Sequence, residues 1–458
     1  MKIKGLWIAC SLILLFLSAC SSQGTSNAPQ EQTSTNGGSV TGEEKGDNEA
    51  ATGTGGKKTI VFSTFWPDER FKEAKKKYEA KHPNIEIKLE YIEADDQNLE
   101  AALEKFVTTT NTAMLAGKGA DLIEMDLLPI DKYVNNNLLV DLNKMMEQDS
   151  SFRKDDFFVN VLNHATTGEG LYGMPLSFFL FGLLGDEDAI GKAGVKVDDS
   201  SWTWNEFAET AKELAKKGEY KHAFTSQAEY LLDQMVTDNY SLFVDEASRK
   251  AKFDTKAFTD LMQQVKKMFD EEVISDDGRE KAYFMQSQIN SSWDYLVALR
   301  EFAEHAKLYA KPNALSTEPG GYFRTYKTIG LNAKSTVKAE AWDFIKYLTS
   351  EELQHPPESA GIPIRKSIFE KQVKQLQAAG EVQAYKEGPL QGMTFKVDNE
   401  ILQQLEAYVN GAVHAVAFKT TKLNEIITKE SQAFFSGQKS AEEVAKLVQN
   451  KATTYLNE

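Results

Sequence analysis

The residues best suited to covalent or metal chemistry are scarce here and badly spaced for it. Cysteine occurs twice in 458 residues, at Cys10 and Cys20. Cys20 closes the run Leu17-Ser18-Ala19-Cys20, behind an apolar stretch that begins at Gly5 and a start carrying Lys2 and Lys4. Positive residues, a short apolar core and small residues before a cleavage point make a secretory signal. Cleavage there would remove Cys10 and leave Cys20 at the head of the mature chain. A cysteine nucleophile, a disulfide and a cysteine-ligated metal are then excluded from the folded part. The six histidines, His82, His164, His222, His305, His355 and His414, include no His-Glu-x-x-His spacing for zinc. No Gly-x-Ser-x-Gly elbow and no phosphate loop occurs. Paired carboxylates can hydrolyse glycosides. Among 68 acids some pair always looks suitable, so that pattern has little weight.

Charge narrows the partners. Loss of Lys2 and Lys4 lowers the 52 basic residues to 50 against 68 acids, a formal balance of −18. Such a chain is a poor ligand for nucleic acid and for anionic lipid surfaces. A single transmembrane anchor is the alternative to a cleaved signal, but the run from Gly5 to Ala19 is short for a span of ~20 residues. From Ser21 to Lys57 the chain is mostly Ser, Thr, Gly, Asn, Gln and Glu, with no aromatic residue and Val40 as its only branched aliphatic. That composition predicts a flexible tether, because burial cannot offset its ordering entropy. Its 37 residues span roughly 30–36 Å as a coil. The remaining 400 or so residues exceed what one core usually holds, so two lobes are expected.

Several elements would position any site. Thr59-Ile60-Val61-Phe62-Ser63 reads as a buried strand. Phe71, Ala74 and Tyr78 follow at helical spacing, with Lys72, Lys75, Lys76, Lys77 and Lys81 on the solvated face. Ile85, Ile87, Leu89 and Tyr91 alternate with charged residues as a strand does, and Asp121 to Met125 reads as another strand. Alternating strands and helices imply crossover units and a mainly parallel sheet. Ligand crevices in such sheets lie beyond the carboxyl ends of strands, which draws attention to the residues after Phe62 and Met125. Leu171-Tyr172-Gly173-Met174-Pro175 and the apolar stretch to Leu184 suit a crossing into a second lobe. Thr203-Trp204-Asn205-Glu206 is a capping box. Helical patterns run from Thr255 to Phe269, Thr336 to Leu348 and Ala441 to Leu456. Gly320-Gly321 marks a turn, and Thr328 to Leu331 reads as a short strand. No internal repeat is present, which disfavours a repetitive surface adhesin.

Two resemblances follow. The run ending in Cys20 resembles the lipobox of bacterial lipoproteins. It implies a lipid-anchored protein on the extracellular face of a cell membrane, in a Gram-positive bacterium, with acyl chains such as palmitate on Cys20. The collinear order of seven segments is similar to extracellular solute-binding proteins of ABC importers, in the carbohydrate group that includes maltose-binding protein. The segments are Thr59 to Trp66, Gly119-Ala120-Asp121-Leu122, Tyr172-Gly173-Met174-Pro175, Trp202 to Phe207, Ser292-Trp293-Asp294-Tyr295, the helix carrying Ala341, Trp342 and Phe344, and Gly361-Ile362-Pro363-Ile364-Arg365. His355-Pro356-Pro357 departs from that pattern and forces an extended path before Gly361.

The resemblance implies an α/β fold of two discontinuous lobes with mainly parallel sheets joined by hinge strands, of the periplasmic-binding-protein type II. Lobe one would be 58–166 plus 326–368, and lobe two 167–325 plus 369–458, behind a signal at 1–19 and a tether at 20–57. The implied function is capture of a carbohydrate, an oligosaccharide by the number of aromatics, between the lobes of a monomer. Delivery would follow to the membrane subunits of an ABC importer, with no cofactor, no metal and no catalysis. A secreted carbohydrate-active lipoprotein enzyme is the alternative. Sugar sites combine aromatic faces with acids, amides or arginine that meet hydroxyls. On that basis the ligand-binding candidates begin with Trp66, Asp68 and Asp126 beyond the first strands. Ser177 and Phe179 follow the hinge, and Glu229 and Tyr230 lie in lobe two. Trp293, with Asp294 and Tyr295, matches a stacking platform. Tyr322 and Arg324, with Tyr326 beside them, lie near the last crossing. The bland readings are that Asp68 caps a helix, that one hinge phenylalanine is core, and that Trp204 and Trp342 pack inside.

Overall fold

The opening apolar run forms strand β1 (Lys58–Ser63). A helix, Glu69–Lys81, follows it and buries Phe71, Ala74 and Tyr78 while its lysines face outward. Asp68 caps this helix, accepting the Arg70 amide at 2.8 Å. The protein is seen here as a computed structural model that describes residues 56–92, 98–245, 248–315, 319–416 and 422–457. Cys20, the signal at 1–19 and the tether as far as residue 55 lie outside the described residues.

Eight further strands join β1 in one sheet: β2 (Ile85–Glu90), β3 (Leu122–Glu124), β4 (Met174–Asp186), β5 (Phe284–Ile289), β6 (Ala306–Ala310), β7 (Gly321–Leu331), β8 (Ile362–Pro363) and β9 (Ala412–Ala415). The path runs β6-β4-β7-β3-β1-β2, with β5 and β8 also on β4 and β9 on β7. Within this sheet, parallel pairing joins β1 with β2, β1 with β3, and β7 with β9. Around the two long strands, β4 and β7, the pairing is antiparallel. The crossover units are thus concentrated where strand and helix patterns alternate, before Asp126.

β4 and β7 are the spine. Tyr322 faces Phe181, Arg324 faces Phe179 and Tyr326 faces Ser177 across them. The first half of β7 pairs with β9, and its last three residues pair with β3. This strand is longer than the expected Thr328 to Leu331. Its first half is stabilised by β9, a partner too distant in sequence for local pattern to reveal. Gly320, with φ of 145°, makes the turn into it.

Three hydrophobic clusters fill the molecule. The largest runs from Ile60 and Phe62 through Phe178 to Tyr295 and Leu405. The second gathers Trp204, Phe207, Phe258 and the C-terminal helix Ala441–Asn457 around Leu183. The third is small and holds Phe65, Phe106, Met125 and Tyr133. Trp204 and Trp342 are buried in this packing. Trp342 also donates its indole N–H to Asp149 at 2.9 Å. The capping box at Thr203 is complete, the side chains of Thr203 and Glu206 each accepting the other's backbone amide at the start of the helix Trp204–Lys217. Among the described residues no helix is long and apolar enough to cross a membrane.

Candidate functional site

Beyond the carboxyl ends of β1 and β3 lies a cavity of about 300 Å³. Its floor is the middle of β7, from Arg324 to Thr328. One wall is Phe65, Trp66 and Phe106, and the other runs from Glu124 onward past Asp126. The loop that carries Trp66 is fixed from both sides. The Thr64 hydroxyl donates to the Trp66 carbonyl at 2.9 Å, and the Ile92 amide to the Phe65 carbonyl at 3.2 Å. Trp66 is half-buried and meets Phe65 edge-to-face at 4.4 Å, so part of its ring remains available to the cavity.

A charged cluster supports the floor. Lys327 Nζ lies 2.6 Å from Asp68 and 3.4 Å from Glu124. Asp126 accepts the backbone amides of Lys327 at 2.6 Å and Thr328 at 3.0 Å. These bonds hold Lys327 in a left-handed conformation, φ 56°, that a side-chain-bearing residue adopts only at some cost. Burial alone would raise the Asp68 carboxyl, but Lys327 and Arg70 outweigh it and hold the group down at about 2. Burial raises Glu124, with Asp126 and Asp68 reinforcing it and Lys327 opposing. Burial also raises Asp126, against the two backbone amides. Lys327 moves up despite its own burial, because Glu124 and Asp68 favour its charged form.

Arg324 completes the floor. Its guanidinium sits 5.2 Å from the Phe179 ring centre and 5.7 Å from that of Phe181, and it donates to Gln288 at 3.3 Å. Tyr326 is the other contact of Phe179, with ring centres 4.7 Å apart. Phe179 therefore acts through its neighbours, orienting Arg324 and Tyr326. Aromatic faces beside carboxylates and a guanidinium suit a ligand with both apolar C–H faces and hydroxyls. Among the described residues no group of three or more histidine, cysteine or acidic side chains could hold a metal ion.

The structure gathers Trp66, Asp126 and Arg324 at this cavity, with Asp68 and Phe179 directly behind it. Ser177 is buried, its hydroxyl 3.5 Å from the Tyr326 carbonyl. Tyr322 is buried lower on β7, where Lys311 lies over its ring at 5.3 Å and His414 at 5.0 Å. Glu229 and Tyr230 occupy the first turn of the helix Ala228–Asp238 and are half-buried. Trp293, Asp294 and Tyr295 open the helix Ser292–Phe302, and none of them lines the cavity. Trp293 packs edge-to-face on Tyr385 at 5.3 Å, and its amide donates to Pro357 at 3.1 Å. Asp294 accepts the Asn290 amide at 2.6 Å and the Tyr385 hydroxyl. Tyr295 is core. Glu124 and Lys327 are cavity residues that local pattern did not single out. No sequence signal sets them apart: Asp121 and Asp126 flank Glu124, and Arg324, Thr325 and Thr328 surround Lys327.

A family model described as bacterial extracellular solute-binding protein matches residues 67–355. The chain belongs to that family. The same architecture recurs in solved structures. An extracellular solute-binding protein family 1 member from Alicyclobacillus acidocaldarius is 17% identical, covering 87% of this chain and 98% of its own, with a TM-score of 0.59. The sugar-binding protein MalE of Xanthomonas citri is 15% identical, with 87% and 97% covered and a TM-score of 0.59. A periplasmic oligogalacturonide-binding protein of Yersinia enterocolitica is 17% identical, with 87% and 99% covered and a TM-score of 0.58. This solute-binding protein thus has the mixed α/β fold of type II binding proteins, and its family is one of solute-binding proteins rather than enzymes.

Proposed function

We propose that this solute-binding protein is a lipid-anchored extracellular receptor for a carbohydrate, an oligosaccharide by preference, and that it delivers that ligand to an ABC importer. The observation that carries the carbohydrate reading is the cavity at the carboxyl ends of β1 and β3. There a half-buried tryptophan faces carboxylates and a guanidinium across about 300 Å³. That volume holds part of an oligosaccharide, and closure of the lobes would complete the enclosure. In this reading the lobes are 58–166 plus 326–368 and 167–325 plus 369–458, and β4 and β7 carry the chain between them. Ligand touching both lobes stabilises the closed form by its differential affinity for it. Cys20 carries the lipid, and the following polar segment gives the reach to a neighbouring permease. The family match and the sugar-binding proteins among its structural relatives support the class of ligand.

The test is thermal unfolding of the purified full chain in detergent across a panel of neutral and acidic saccharides. A ligand that binds only the native state raises the midpoint by mass action. A rise with one saccharide class, lost in Trp66→Ala, is the expected result. No rise with any saccharide would sink the carbohydrate reading.

A further inference from the structure

Of the four carboxylates at or behind the cavity, Asp131 lines its wall, and the three around Lys327 are not equivalent. Asp68 is committed within the chain, to Lys327 at 2.6 Å and to the Arg70 amide at 2.8 Å. Asp126 uses one oxygen for each of two backbone amides. Glu124 differs from both. Its Oε1 makes a longer contact of 3.4 Å to Lys327, whose ammonium is drawn toward Asp68. Its Oε2 is buried and has no hydrogen-bond partner among the described residues. The side chain is only 9% exposed and lines the cavity. A buried acceptor without a donor is costly, and native proteins rarely keep one that nothing fills.

We infer that Glu124 is a specificity-determining residue of the ligand site, accepting a hydrogen bond from a saccharide hydroxyl through Oε2 and excluding saccharides that carry a carboxylate. This inference rests on the carbohydrate reading above. A neutral hydroxyl supplies the missing donor. A uronate would bring another negative charge against Glu124, with Asp126 and Asp131 also in the wall. Lys327 does not relieve this, because Asp68 already shares its charge, and Arg324, at the other end of the floor, is held against Phe179, Phe181 and Gln288. Like charges brought together in a partly desolvated site are disfavoured strongly enough to choose between ligands.

The experiment is titration calorimetry on the full chain in detergent, with maltotriose, cellotriose and xylotriose as neutral probes and trigalacturonate as the acidic one. The unaltered protein should bind a neutral probe and reject trigalacturonate. Glu124→Ala should weaken the neutral ligand roughly tenfold to hundredfold, the scale of one hydrogen bond to a charged acceptor. Glu124→Gln keeps the shape and an acceptor but removes the charge. It should retain neutral binding within about threefold and gain measurable affinity for trigalacturonate, a change in ligand ratio that a merely structural role would not produce. Neutral binding untouched by Glu124→Ala, or tight trigalacturonate binding by the unaltered protein, would overturn this inference and leave the carbohydrate reading standing. No binding of any of the four probes would overturn both.

Discussion

Lys327 Nζ lies 2.6 Å from the Asp68 carboxylate, tying the middle of β7 to the cap of the first helix. The tie joins two segments that both border the cavity. Asp68 therefore reads as a positioning residue, and its helix-capping role and its place at the site are one arrangement.

This pair sets an acid limit to stability. The folded Asp68 carboxyl sits at about 2 against an ordinary 3.8. Its contribution is present above pH 4 and is lost as pH falls from about 4 to about 2. The shift corresponds to about 2 kcal/mol. Asp68→Asn preserves a good cap while removing the charge. Denaturant unfolding at a series of pH values should show the variant less stable near neutrality and the difference shrinking below pH 4. An equal deficit at every pH would contradict the assignment.

Lys311 and Asp238 form an ion pair with side chains only 4% and 3% exposed. Lys311→Met strands a buried carboxylate and should destabilise the fold by about 3–5 kcal/mol. Lys311→Met combined with Asp238→Leu should recover most of that loss, because an apolar pair of similar volume removes the stranded charge. Equilibrium unfolding of the three variants decides it.

Asp233 behaves oppositely to Asp68. Burial, with a smaller push from Asp238, raises it to about 6, and the Asn424 amide at 2.8 Å only partly opposes this. An acid raised in the folded state favours folding while it stays protonated. Its contribution is therefore present below about pH 4 and lost as pH rises through 6, on the order of 3 kcal/mol. Asp233→Asn should flatten the stability profile between pH 4 and 6. A profile unchanged by the substitution would remove Asp233 as its cause.

Trp293 packs on Tyr385 outside the cavity. Trp293→Ala should lower stability by about 2–4 kcal/mol, slightly under the cost for a fully buried tryptophan. The saccharide-induced rise in midpoint should survive. Loss of that rise with stability intact would place the ring at the ligand.

The early strand and helix patterns were readable because they are local. Phe71, Ala74 and Tyr78 share one helical face, and Thr203 and Glu206 are three residues apart. Trp66 and Asp126 were readable because a sheet places its crevice beyond strand ends. Glu124 and Lys327 were not. Neither stands out from its neighbours, since Asp121 and Asp126 flank Glu124 and Arg324 precedes Lys327, and their meaning depends on a contact between distant segments. Trp293 shows the reverse case. Its segment resembles a ligand loop, yet its neighbours Tyr385 and Pro357 come from chain that no local pattern connects to it.

The position of β7 also constrains the order of assembly. β3 pairs with β1 on one side and with β7 on the other, where Glu124 faces Ile329. As the chain emerges from its amino end, β1, β2 and β3 can associate long before β7 exists. Until it arrives, one edge of β3 offers unpaired backbone groups to any passing strand. Closing that edge requires a contact of very large sequence separation, which slows folding. The same insertion that builds the floor of the cavity makes the half-made protein prone to association with its own copies, a hazard that ends when Gly321–Leu331 docks.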